Sequence, residues 1–143
     1  MPLILGIDHG DARIGLAISD DLAMFAHPLE TVPARDAQAA LERIATIVKE
    51  KQIGRVVVGL PRNMDGSYGP AAEKVRAFGN ELKKRLASCE IDFVDERLTS
   101  VAAQKALHAT GRKVKQSRSV VDQVAAQLIL QTWLDREAYK SAN

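Results

Sequence analysis

Three acidic residues, Asp8, Glu96 and Asp122, stand beside apolar stretches where an unpaired carboxylate is costly. Asp8 closes the apolar run LILGID, and Glu96 directly follows the apolar run IDFVD. A charge in such a place costs several kcal/mol unless a hydrogen-bonded turn, a basic partner or a metal ion compensates it. A carboxylate at the end of one strand is commonly a turn or cap residue, but two carboxylates at one edge of a sheet indicate a functional site.

Asp122 allows two interpretations. The spacing from Ser119 matches a capping box, in which Asp122 would only stabilise the start of a helix. The helical periodicity favours a functional role for Asp122. It places Asp122 away from a stripe of three glutamines that is predicted to face solvent, Gln123, Gln127 and Gln131. Asp122 would then face the sheet, where a carboxylate needs a positive partner.

Clustered carboxylates without histidine or cysteine ligands suit hard cations, so Mg²⁺ or Mn²⁺ is the expected cofactor. Two such ions side by side can activate water and stabilise the leaving oxygen in phosphodiester hydrolysis. If Asp8, Glu96 and Asp122 converge, metal binding would explain why three carboxylates lie in apolar surroundings.

The elements that must position these residues alternate between strands and helices. Strands are predicted at 3–8, 13–19, 24–26, 55–60 and 91–94, and helices at about 36–51, 70–86, 99–108 and 120–139. The pattern is typical of a three-layer α/β domain with a mixed sheet. In such sheets ligands bind beyond the carboxyl ends of the strands, where Asp8 and Glu96 would meet.

The 143 residues are predicted to form a single domain, 1–143, because no linker, repeat or low-complexity segment divides them. One cysteine, Cys89, excludes a disulfide framework and a cysteine-based zinc site. No apolar run approaches the length needed to span a membrane, and no charged region precedes the first apolar stretch. We therefore expect a cytoplasmic protein that does not bind membranes.

The net charge of +2 does not by itself indicate nucleic acid, but the distribution of charge does. No acidic residue lies between Arg97 and Asp122, whereas this stretch is rich in basic residues. Such a cluster either contacts phosphate or forms a solvated loop. The predicted nucleic-acid contacts are the residues of this basic segment, together with one arginine of the loop at 61–70: Arg112, Lys113, Lys115, Arg118 and Arg62.

Four stretches, GIDHGDARIGLAISD, GLPRNMDGSYG, VDERLTS and VVDQVAAQLILQTWL, together resemble the successive motifs of the YqgF family. Members of this family are described as pre-16S ribosomal RNA nucleases and as Holliday-junction-resolvase-like proteins, related to RuvC. The resemblance implies a ribonuclease H-like three-layer fold with a five-stranded mixed sheet flanked by helices. It also implies an acidic catalytic set of Asp8, Glu96 and Asp122 and a role in maturing the 5′ end of 16S ribosomal RNA. His9 departs from the aromatic residue expected at its position.

Other functions stay open at this point. A phosphotransferase or ATPase of the actin, hexokinase and Hsp70 type also begins with a strand ending in Asp-x-Gly, but it needs two lobes around its nucleotide. A nucleic-acid-binding module without catalysis would not need three acids. A Holliday-junction resolvase acting on branched DNA would require a dimer with two sites, and the sequence shows no dimer face. We expect a monomer or weak dimer.

Overall fold

The computed structural model describes residues 2–63, 65–96 and 118–142, with the backbone alone at 118–120. In chain order the elements are β1 (Leu3–His9), β2 (Arg13–Ser19), β3 (Ala26–Pro33), α1 (Ala37–Glu50), β4 (Ile53–Leu60), α2 (Pro70–Arg85), β5 (Glu90–Asp95) and α3 (Arg118–Ala142). The predicted helix at 99–108 lies outside the described residues. No described helix combines the length and the apolarity that crossing a membrane requires.

The five strands form one mixed sheet in the order β3-β2-β1-β4-β5. β1, β4 and β5 run parallel, while β2 is antiparallel to both β1 and β3. The three parallel strands therefore end at a common edge, at His9, Leu60 and Asp95, which we call the carboxyl edge. The predicted five-stranded mixed sheet flanked by helices is confirmed.

The sheet is covered on both faces. α1 and α2 pack on one face, and α1 contributes a buried apolar stripe that follows the helical period: Ala40, Leu41, Ile44, Ile47 and Val48. α3 packs on the other face through Ala126, Ile129, Leu130 and Leu134. Each of the larger side chains contributes roughly 1.5–3 kcal/mol when fully buried, so apolar contact fixes where α3 lies on the sheet.

The third strand was predicted in the wrong place. Residues 24–26 were expected to form it, whereas β3 runs from Ala26 to Pro33. The expectation stopped before Pro28 because proline cannot donate a hydrogen bond to a central ladder. β3 is an edge strand, paired only with β2, and an edge strand tolerates proline on its unpaired side.

The three glutamines of α3 do not face solvent, so that prediction was wrong. Gln127 donates through Nε2 to the backbone oxygen of Ala26 at 2.9 Å, and Gln131 Oε1 accepts from the backbone nitrogen of Ala26 at 2.9 Å. Gln123 Nε2 donates to Thr31 Oγ1 at 3.1 Å. The glutamines thus bind groups of the edge strand, and they hold α3 across β3.

Candidate active site

Asp8 and Glu96 come together at the carboxyl edge, on the face that α3 covers. Asp8 lies near the end of β1, and Glu96 is the first residue after β5, with β4 between the two strands. A Cβ atom at Gly59 of β4 would lie only 2.7 Å from Glu96 Oε1, so the missing side chain leaves the space that Glu96 crosses. The two carboxyl groups share a side-chain hydrogen bond.

Burial is the main reason why the pKa values of both acids are raised, and the neighbouring negative charges add to it. Burial raises the pKa of Glu96 to about 8, and the charge and hydrogen bond of Asp8 add to the increase. Burial also raises the pKa of Asp8; the hydrogen bond from Glu96 acts in the opposite direction, and the charge of Asp122 acts in the same direction as burial. At neutral pH Glu96 therefore carries a proton that it donates to the Asp8 carboxylate.

Gly15 lets the third acid approach. Gly15 lies directly opposite Asp8 in the β1–β2 pairing. A Cβ atom at Gly15 would lie 2.0 Å from the backbone oxygen of Asp122. α3 thus contacts the backbone of β2 beside Asp8, and Asp122 comes close enough for its charge to act on Asp8. The orientation of Asp122 toward the sheet agrees with the prediction from helical periodicity.

Arg13 is the positive partner that Asp122 needs. Its Nε donates to Asp122 Oδ2 at 2.8 Å, from the first residue of β2 to the second turn of α3. α3 already includes Ser119, which a capping box would place before the helix, so this geometry argues against capping as the role of Asp122. The sequence reasoning did not single out Arg13, because no local signal points to a partner 109 residues away.

The donor set fits a hard cation in its chemistry, because Asp8, Glu96 and Asp122 supply only carboxylate oxygens. The pKa values of Asp8 and Glu96 are raised by burial and by neighbouring negative charge, and a bound cation would oppose both effects. Within 2–63, 65–96 and 118–142, however, no three His, Cys, Asp or Glu side chains stand ready to hold a metal ion. Asp8 and Glu96 are together, whereas Asp122 is turned to Arg13.

Arg62, predicted to contact phosphate, is engaged within its own loop. Its Nε donates to the backbone oxygen of Gly66 at 2.9 Å, and its Nη1 donates to Asp95 Oδ2 at 3.2 Å. Its guanidinium also lies over the ring of Tyr68, 4.7 Å from the centroid. Arg62 therefore ties the loop to the end of β5, and its contact with phosphate stays a prediction.

The other predicted nucleic-acid contacts cannot be compared with the geometry. Arg112, Lys113 and Lys115 lie outside the described residues. Arg118 is the first residue of α3, and only its backbone is described. This places the end of the basic segment one helical turn before Asp122.

A family model decides where the chain belongs. The RuvX model, described as Holliday junction resolvase, matches residues 2–136. The chain belongs to the RuvX family. RuvX is another name for the YqgF family, so the resemblance seen in the four sequence motifs is confirmed.

Curated relatives of this RuvX chain carry the name "Putative pre-16S rRNA nuclease". One from Streptomyces coelicolor is 50% identical over 133 residues, which cover 93% of this chain and 80% of the relative. One from Halalkalibacterium halodurans is 46% identical over 138 residues, which cover 95% of this chain and 98% of the relative. The family is one of nucleases, and this supports a hydrolase acting on nucleic acid rather than the phosphotransferase alternative.

Solved structures of resolvases share the fold of this RuvX chain. Thermus thermophilus RuvC in complex with a Holliday junction matches with a TM-score of 0.60 at 16% identity, over 96% of this chain and 97% of that one. The Holliday junction resolvase of fowlpox virus matches with a TM-score of 0.56 at 11% identity, over 94% and 99%. The predicted ribonuclease H-like architecture is thereby confirmed.

Gly15→Ala should separate α3 from Asp8. The added methyl group would overlap the backbone oxygen of Asp122, so the first turns of α3 must shift. We expect a loss of about 1–3 kcal/mol in the free energy of unfolding, measured by urea denaturation. Gly54→Ala is the matched control on β4, because its Cβ would meet only the Pro2 side chain near the start of the chain. Equal losses in both variants would contradict the close packing described here.

The stability of the metal-free protein should fall as pH rises from about 4.5, the ordinary pKa of glutamate, to about 8, its value in the folded chain. In this window the folded state holds a proton on Glu96 that the unfolded state has released, so raising the pH favours unfolding. Glu96→Gln keeps a hydrogen-bond donor to Asp8 but does not titrate, and its stability should decline less.

Denaturation in the presence of a chelator, compared between the two proteins at each pH, measures this effect. Burial lowers the pKa of His9, so His9 contributes to the pH dependence of stability with the opposite sign. Both proteins contain His9, so its contribution cancels when the stability of one is subtracted from that of the other. Parallel pH profiles for wild type and Glu96→Gln would show that Glu96 does not carry the proton.

Proposed function

We propose that this chain is a divalent-metal-dependent nuclease that hydrolyses phosphodiester bonds in precursor ribosomal RNA, near the 5′ end of 16S, in the cytoplasm. Asp8, Glu96 and Asp122 are its catalytic acids. The observation that carries the proposal is the hydrogen-bonded Asp8–Glu96 pair at the carboxyl edge, with Asp122 brought beside it by Gly15. The names of the relatives support the choice of RNA.

Asp8, Glu96 and Asp122 would hold Mg²⁺ or Mn²⁺, as two ions. Bound there, the ions supply positive charge for the phosphate oxygens and lower the pKa of a bound water. Glu96 must release its proton to become a ligand, so we expect metal affinity to rise with pH toward 8.

Arg13 positions Asp122 in this proposal. Its ion pair holds the carboxylate at the carboxyl edge, where an unpaired acid would be repelled by Asp8. The guanidinium is about one-third exposed, so it also presents positive charge to an approaching phosphate. Arg13 therefore acts through Asp122 and through charge, without a bond to the reacting atoms.

We further propose that residues 1–143 act as one nuclease domain and that the protein is a monomer or weak dimer. Resolution of a Holliday junction is the second candidate function, because the family model carries that description. It requires two active sites on one branched DNA, so a stable dimer in light scattering would favour it.

A cleavage assay tests the proposal and separates the two candidates. The purified protein is incubated with Mg²⁺ or Mn²⁺ and precursor ribosomal RNA, a four-way DNA junction or a random single strand. We expect metal-dependent cleavage of the precursor that a chelator stops. Symmetric cutting of the junction with an uncut precursor would favour the resolvase. No cleavage of any substrate, with nucleic acid still bound, would indicate a non-catalytic binding module.

A further inference from the structure

A cavity of about 250 Å³ opens between α1 and α2, on the face of the sheet opposite α3. Its floor is apolar and includes Ile14, Leu41 and Phe78. His9 also lines it, because side chains alternate along β1 and His9 points to the opposite face from Asp8. The cavity therefore begins at the residue that follows Asp8 in the chain, on the other face of the sheet.

The lining combines an aromatic pair with two charged residues of opposite sign, Lys74 and Glu81. The His9 and Phe78 ring centroids are 4.6 Å apart with an interplanar angle of 44°. Lys74 lines the cavity as well, and its Nζ lies 3.3 Å from Asp11 Oδ1 in an exposed ion pair. Such a pair contributes little to stability, so Lys74 can turn to a phosphate at small cost.

We propose that this cavity binds an unpaired nucleobase of the substrate strand, from a nucleotide flanking the phosphate that is cleaved. The inference rests on the proposed nuclease function. The volume lies below the about 300–1,000 Å³ of pockets for drug-sized ligands, which suits one flat ring system with its sugar and phosphate outside. Aromatic side chains next to basic ones are the usual means of holding single-stranded nucleic acid.

The proposal defines the substrate class. A base within a duplex is stacked and paired, so it cannot enter a cavity of this size without being turned out of the helix. An unpaired base enters at no such cost. The site therefore selects single-stranded nucleic acid beside the cleaved bond over continuous duplex.

Two double variants test the cavity in a chelator, where nothing is cleaved. Ala37→Leu with Ala77→Leu narrows the opening, since both alanines line it and are exposed. Ala39→Leu with Ala71→Leu is the matched control on the same two helices, at exposed positions outside the lining. The probe is a short single-stranded oligoribonucleotide carrying fluorescent 2-aminopurine at each position in turn. Thermal denaturation checks that both variants fold.

Wild type and control should quench the fluorescence at one position of the strand. The cavity variant should lose the quench and bind about tenfold more weakly, the loss expected for one stacked base. Equal quench and affinity in the cavity variant would overturn the proposal. If the cavity variant does not fold, His9→Leu is measured in its place. An undiminished quench in His9→Leu would likewise overturn the proposal.

A second experiment compares the labelled strand with free 2-aminopurine riboside monophosphate. The strand should be quenched at far lower concentration than the free nucleotide, because neighbouring nucleotides bind the carboxyl edge at the same time. Equal quenching of both would overturn the assignment to the substrate strand and indicate a free-nucleotide site. The readout is independent of cleavage, so a quench without nuclease activity would reject the proposed function and keep the base site.

Discussion

Asp8→Asn should abolish metal-dependent cleavage while the sheet stays intact. The substitution removes the carboxylate that accepts the proton of Glu96 and that lies beside Asp122. Glu96→Gln and Asp122→Asn should have effects of the same size, and a double variant should be no worse than a single one, because ligands of one site act as a unit. Cleavage rates on precursor ribosomal RNA at saturating Mg²⁺ measure the effect.

Asp8→Asn should also stabilise the metal-free protein or leave it unchanged, because it relieves repulsion within the acidic group. Mg²⁺ should raise the melting temperature of wild type by binding the folded state, and raise that of Asp8→Asn much less. Asp21→Asn, at an exposed carboxylate in the β2–β3 turn, is the control for loss of one charge. Normal cleavage by Asp122→Asn would reduce Asp122 to a structural residue and reject the three-acid site.

Replacing the basic segment with alanine at Arg112, Lys113, Lys115 and Arg118 should weaken nucleic-acid binding strongly. Each phosphate contact contributes about 0.7 to the salt slope on single strands and about 0.9 on duplex DNA. We therefore expect the slope to fall by roughly two to four units. Arg118 lies one helical turn before Asp122, so we expect a strand bound by the basic segment to pass close to Asp122.

The matched control removes four positive charges at the opposite edge of the sheet. Lys49, Lys51, Lys83 and Lys84 are exposed around the carboxyl ends of α1 and α2, before β4 and β5 begin. This variant has the same net charge as the first but should keep the wild-type salt slope and nearly the wild-type affinity. The melting shift caused by Mg²⁺ should be unchanged in both. A wild-type slope in the first variant would mean that the basic segment is only a solvated connection.

Much of the sheet could be predicted from local pattern. β1, β2, β4 and β5 are apolar runs bounded by turn residues, and all four were predicted within three residues of their ends. If β1 and β5 run parallel, Asp8 and Glu96 are expected at one edge of the sheet, and the two strands do run parallel to β4 between them. β3 was misplaced because a single sequence does not tell which strand is at the edge, and only an edge position allows Pro28.

Contacts across the chain could not be predicted in the same way. Arg13 and Asp122 are 109 residues apart, and nothing in their local sequence identifies one as the partner of the other. The glutamines of α3 were wrongly predicted to face solvent for a related reason. An amide at regular helical spacing suits water and an edge-strand backbone equally well, and only the position of β3 decides between them.

If Asp122 is a catalytic acid, as proposed, the site also depends on two parts of the chain that are synthesised at different times, Arg13 and Asp122. β1 and β2 leave the ribosome long before α3, and at about 5–20 residues per second the intervening 109 residues take roughly 5–20 s to translate. During that time the nascent chain carries Asp8 without Asp122, so its acidic group is incomplete. We therefore expect the proposed nuclease to be inactive until α3 has been synthesised and has docked on the sheet, and translation that stops before α3 should produce no active enzyme.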